Sequence, residues 1–85
     1  MTVQPAPIPV YGFVAGDVLG LVVLVRPEET VAELARKLLE AAAVRVGKVE
    51  AADVWFKGAK LDPRHCIGET SLAALDRVDV RPRAT

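Results

Sequence analysis

Few residues in this chain are of a type that does chemistry. Cys66 and His65 are its single cysteine and single histidine, and they are neighbours. A nucleophilic thiol needs a lowered pKa and a base close to its sulfur, but adjacent residues of an extended chain point apart. Cys66 therefore reads as a small buried apolar residue and His65 as a loop residue. One histidine and one cysteine make neither a CxxC nor an HExxH metal site. Glu28, Glu29 and Glu33 cluster in sequence, but they stand where a helix begins, and compensation of the helix dipole accounts for them. The six glycines are scattered singly, so no phosphate-cradling loop is present. The expectation is a chain with no catalytic residue, no cofactor-binding residue and no metal ligand of its own.

The elements that position these residues can be read in order. Met1 to Pro9, with prolines at 5, 7 and 9, reads as an extended arm. Residues 10–82 form one domain and 83–85 a tail. Val10 to Val14 reads as a strand, turned by Ala15-Gly16-Asp17 into a second strand over about Leu19 to Arg26. That second strand is apolar on both faces, so something is expected to cover its outer side. If Leu21, Val23 and Val25 point inward, Val22 and Leu24 face out, either as a docking surface or as ordinary exposed apolar residues. Tyr11 and Phe13 turn in or out depending on a one-residue register choice.

Pro27 ends the strand, and Thr30 with Glu33 has the spacing of a capping box. Val31, Leu34, Ala35, Leu38 and Ala42 then recur at helical spacing, with Glu33 and Lys37 as an i,i+4 pair on the polar side. Val44 to Ala52 is broken by Gly47 and allows a short strand at Val44–Val46. Asp53 to Lys57 reads as a strand whose turn uses the backbone freedom of Gly58. Leu61-Asp62-Pro63-Arg64 is a loop, Glu69 to Leu75 a short helical turn, and Arg77 to Arg81 an alternating strand with one face in water.

With 85 residues, the chain holds one modest core. A single cysteine excludes a disulfide scaffold and points to a reducing, cytoplasmic setting. Eleven basic and eleven acidic residues cancel, so no field of one sign draws nucleic acid or an anionic membrane. The longest apolar run, Val18 to Val25, is far short of the roughly 20 residues that span a bilayer. The first residues lack the charge and apolar run of a signal peptide.

Val54-Trp55-Phe56-Lys57-Gly58-Ala59-Lys60-Leu61-Asp62-Pro63 resembles the middle of ubiquitin-like domains. The fold this implies is α+β, a β-grasp: a mixed sheet of four to five strands with one main helix packed on one face. The terminal Arg81-Pro82-Arg83-Ala84-Thr85 lacks the Gly-Gly of conjugated modifiers and sulfur carriers, which makes that reading the weakest. A second resemblance covers nearly the whole chain. Pro9-Val10, Gly16-Asp17, the strand Leu21 to Val25, Thr30-Val31-Ala32-Glu33, Leu61-Asp62-Pro63-Arg64 and Ile67 to Asp79 are similar to the small ubiquitin-like gamma subunit of toluene monooxygenase hydroxylases. Trp55 departs from that pattern, standing where the family carries a charged residue.

What this resemblance implies is a non-catalytic subunit of a hetero-oligomer, with large and medium hydroxylase subunits as partners and a di-iron centre held by the large one. The assembly's chemistry would be NADH- and O2-dependent hydroxylation of an aromatic or alkene substrate. Val22, Leu24 and Trp55 are the expected partner interface, Trp55 having ordinary sheet-edge packing as its alternative. The competing function is a stand-alone ubiquitin-like interaction adaptor of the secretion-system type.

Overall fold

A computed structural model describes residues 7–47, 49 and 51–83. Strands β1 (Ile8–Val14) and β2 (Leu21–Val25) precede the helix α1 (Val31–Val46). Strands β3 (Ala52–Phe56) and β4 (Ala59–Lys60), a 3-10 turn (Ile67–Glu69) and β5 (Arg77–Pro82) follow. The five strands form one sheet in the order β2-β1-β5-β3-β4, with β1 and β5 parallel and every other pair antiparallel. One helix covers one face, which is the ubiquitin-like β-grasp. Among the described residues, no helix is long and apolar enough to cross a membrane.

Several boundaries differ from the expectation. Ile8 and Pro9, assigned to the arm, pair with Val25 and Leu24 as the start of β1; Met1 to Ala6 lie outside the described residues. The second strand begins at Leu21, because Asp17 to Gly20 are used in the connection, where the Asp17 carboxylate accepts the Leu19 N–H. Val44–Val46 is the last turn of α1 rather than a strand. Gly47, at φ +81°, ends the helix and donates its N–H to the Ala43 carbonyl, a conformation that suits glycine. The helical turn expected over Glu69 to Leu75 forms at Ile67–Glu69 instead. There the Glu69 carboxylate accepts the Cys66 N–H, and Leu75 at φ +63° takes no part in a helix.

Thr30 caps α1 as its spacing requires, its hydroxyl oxygen accepting the Glu33 N–H at 3.2 Å. The expected Glu33–Lys37 pair is replaced: Lys37 Nζ lies 2.8 Å from Glu29 and donates to the Leu24 carbonyl at 2.9 Å. Two acceptors beside the sheet edge outcompete one on an exposed helix face, where such a pair is worth only a few tenths of a kcal/mol.

The core lies between α1 and the inner face of the sheet. Leu34, Leu38 and Ala42 meet Val10 and Val14 of β1, Val54 and Phe56 of β3 and Val78 and Val80 of β5, with Ile67 and Leu72 sealing it. Gly12 sets how closely helix and sheet approach, since a Cβ there would stand 2.5 Å from both methyl carbons of Leu38.

One ion pair ties the β1–β2 connection to the end of α1. Arg45 donates from Nε and Nη2 to the two Asp17 oxygens, each at 2.8 Å, and the Asp17 side chain has no exposed surface. The Arg45 hydrogen bond holds Asp17 below the ordinary carboxylate range, and the Lys37 hydrogen bond does the same for Glu29. A carboxylate whose folded pKa is depressed binds its proton more readily in the unfolded chain. Its contribution is complete above the ordinary carboxylate range and fades as pH falls through the folded pKa. Asp17→Asn is therefore expected to melt below the wild type near pH 7, with the gap closing as pH drops from about 4 towards the depressed value. Thermal melts of both proteins across that window check this; a gap independent of pH would refute it.

Candidate interaction surface

The stretch that held the candidate chemistry is used structurally. The Val31 N–H donates to the His65 carbonyl at 2.9 Å and the Ala32 N–H to the Pro63 carbonyl at 3.0 Å, so this loop satisfies donors that α1 leaves open at its start. Thr30 and Cys66 form an antiparallel bridge, and the Ile67 N–H reaches the Glu29 carbonyl at 2.7 Å. Asp62 shapes the turn by accepting the Arg64 N–H at 2.9 Å. Cys66 is half-buried and His65 exposed. Burial pushes the Cys66 thiol up, and the neighbouring Glu69 adds to the shift. Less thiolate at neutral pH means slower attack. Alkylation of Cys66 by iodoacetamide at pH 7.5 is expected to run at least about threefold slower than that of free cysteine. A faster reaction would overturn this.

Among the described residues, no group of three or more His, Cys, Asp or Glu side chains is placed to share a metal ion. A groove of about 550 Å³ lies between α1 and the start of β3, lined by Ala35, Leu39, Ala43 and Ala52 among others. Its walls carry no arrangement of nucleophile and base.

The distinctive surface is the face of the sheet away from α1. Alternation along each strand fixes which side chains it carries. Val10 and Val14 are buried, so Pro9, Tyr11 and Phe13 of β1 face outward. The pairings Leu24 with Pro9 and Val22 with Tyr11 put Leu24 and Val22 beside them. Val22 and Leu24 are 55% and 58% exposed, which places them on the surface as the resemblance to ubiquitin implied. Tyr11 lies edge-on to Phe13 at 4.9 Å and across Gly20, where a Cβ would be 2.5 Å from the phenol oxygen. The result is an aliphatic and aromatic half-face on β2 and β1.

Trp55 shares this face but is not continuous with that half. The pairings Tyr11 with Arg77, Phe13 with Asp79 and Asp79 with Trp55 set β5 between them. Its outward residues are charged: Arg77 bridges Asp79 at 3.2 Å and lies over the Phe13 ring at 4.2 Å, while Arg81 lies over the Trp55 indole at 5.0 Å. On the far side, Asp53 holds Arg83 at 2.9 Å. The surface thus has an apolar half and an aromatic-cationic half. Val22 and Leu24 belong to the first and Trp55 to the second. Chain order hides this division, because the last strand inserts into the middle of the sheet. The sequence reading places Pro9 in the arm and leaves the facing of Tyr11 open, although their alternation with Val10 carried the signal.

No protein-family profile matches the chain, and no curated protein sequence does so either. Solved structures do. A chain of the toluene 4-monooxygenase HD complex with the inhibitor 4-bromobenzoate superimposes with a TM-score of 0.81 at 18% identity, over 92% of this chain and 100% of that one. The ubiquitin of Caldiarchaeum subterraneum superimposes at 0.75 and 17%, covering 93% and 96%. A chain of the MycP5-free ESX-5 inner membrane complex gives 0.75 and 22%, over 95% of this chain but only 22% of that one. At these identities the similarity establishes the ubiquitin-like fold.

Proposed function

We infer that this chain is a small non-catalytic subunit of a multicomponent di-iron monooxygenase hydroxylase, binding a large subunit that holds the metal. The observation that carries this reading is the outer sheet face, where Val22, Leu24, Pro9 and Tyr11 present apolar surface beside the Trp55–Arg81 stack. Apolar residues gathered on one face, with aromatic and arginine side chains alongside, are the composition of protein interfaces. The full-length fit to a chain of the toluene 4-monooxygenase complex supports the choice of partner class. In this role the chain contributes binding area and shape, and the iron, oxygen and substrate chemistry belongs to the partner.

The test is affinity capture of the tagged chain from its native cells, with mass spectrometry and iron quantification of what is retained. Large chains carrying about two irons per active site are the expected result. Iron-free partners would replace this reading with that of an interaction adaptor, for which the fit to part of an ESX-5 complex chain is the supporting observation.

A further inference from the structure

The two edges of the sheet are treated differently. At one end β4 is two residues long and carries Lys60, a short charged edge of the kind that discourages pairing. At the other end β2 is Leu-Val-Val-Leu-Val, with neither charge nor proline.

The register shows which backbone groups that edge exposes. The Tyr11 N–H bonds the Asp76 carbonyl and the Pro9 carbonyl accepts the Leu75 N–H, so these residues of β1 turn their polar groups towards the β5 side. Ile8, Val10 and Gly12 therefore bond β2 through their partners Val25, Val23 and Leu21. Val22 and Leu24 point their N–H and C=O groups away from the sheet. The Leu24 carbonyl accepts from Lys37 Nζ, and the next outward donor, the Arg26 N–H, bonds Glu29 Oε1 at 2.9 Å. The Lys37–Glu29 pair thus closes the C-terminal end of the edge. Among the described residues no protein group meets the Val22 N–H, the Val22 C=O or the Leu24 N–H.

We propose that the free edge of β2 is a docking site for an extended aliphatic segment of the partner subunit, which adds a sixth strand through these three groups. Donor, acceptor and donor at strand spacing are satisfied together only by another extended backbone, in either direction. Aliphatic side chains on the added strand would continue the Val22–Leu24 surface and join the edge to the apolar half-face. A second copy of this chain paired about Val23 would set each Val22 N–H against the other copy's Leu24 carbonyl, which Lys37 already engages, whereas a separate extended segment brings an unengaged acceptor.

This proposal rests on the hydroxylase-subunit reading for the identity of the partner, and its test separates the two. Amide hydrogen exchange is measured on the full chain, free and in the complex captured from native cells. Val22→Pro, which removes an N–H that β1 does not use, and Val22→Thr, which keeps it, are compared for affinity. Circular dichroism verifies that both variants fold. The expected result is at least about tenfold slower exchange at Val22 and Leu24 in the complex, with Val22→Pro weakening binding about tenfold and Val22→Thr changing it little. An iron-bearing complex in which both amides exchange as in the free chain overturns the docked strand and leaves the subunit reading standing. An iron-free complex with slowed amides overturns the subunit reading and keeps the strand. Slowed amides that depend on the chain's own concentration in sedimentation equilibrium overturn the proposal in favour of self-pairing. Failure to capture any complex overturns both.

Discussion

Leu38→Ala is expected to destabilise the fold by about 2–5 kcal/mol, a large part of the roughly 5–15 kcal/mol that holds a domain together. Leu38 has no solvent exposure and sits in the middle of the helix, directly over Gly12 of β1. The converse change, Gly12→Ala, pushes a methyl group to 2.5 Å from both Leu38 methyl carbons. Because Leu38 is sealed in the core, it cannot swing aside, and overpacking of this kind costs about 1–3 kcal/mol. The informative protein is the double variant. Its added methyl enters the space that the shortened side chain vacates, so the combined loss should fall short of the sum by about 1 kcal/mol or more. Urea denaturation of the four proteins measures this coupling. Strict additivity would show that Gly12 and Leu38 do not set the helix-to-sheet distance together.

That coupling is also a case of what the sequence conceals. The helix was legible because its signals are local: Thr30 at the cap, Glu33 three residues on, and Val31, Leu34, Ala35, Leu38 and Ala42 at one period, all buried or capping as expected. The turn after β3 was legible at Gly58, which adopts φ +80°, but Lys57, read as the end of the strand, belongs to that turn at φ +53°, and the two-residue β4 beyond it was not read. The inward set of β2 was legible only through the likeness to ubiquitin, since both faces of that strand are apolar. What the sequence concealed depends on distant partners. Val44–Val46 has a composition that suits a strand, but it continues α1, with Arg45 drawn to Asp17 across 28 residues. Lys37 ignored its helical neighbour because the sheet edge offered two acceptors. Gly12 reads as an ordinary strand glycine until a helix lies over it. For the candidate interface, the individual outward residues were legible and their grouping was not. Grouping depends on strand order, and parallel pairing of the first and last strands leaves no short-range trace.

Strand order also sharpens the expected behaviour of Trp55. Trp55→Ala should weaken binding of the proposed hydroxylase partner by at least about thirtyfold, near the 2 kcal/mol that marks a hot spot, while lowering the stability of the isolated domain by less. The asymmetry follows from its position. Trp55 is partly exposed on the outer face, where the Arg81 guanidinium lies over it at 5.0 Å, a stacking worth about 0.5–1 kcal/mol at such a site. Its neighbours Val54 and Phe56 carry the core side of β3 and are untouched by the change. A docked partner would bury the indole's remaining free surface and desolvate the stack, adding to what Trp55 contributes in the free domain. Calorimetric titration of the captured partner, set beside urea melts of the free domain, compares the two losses. Equal losses would reduce Trp55 to ordinary packing. Wild-type binding by Trp55→Ala, alongside a large loss in Leu24→Ala, would confine the interface to the apolar half of the sheet and leave the aromatic-cationic half facing solvent.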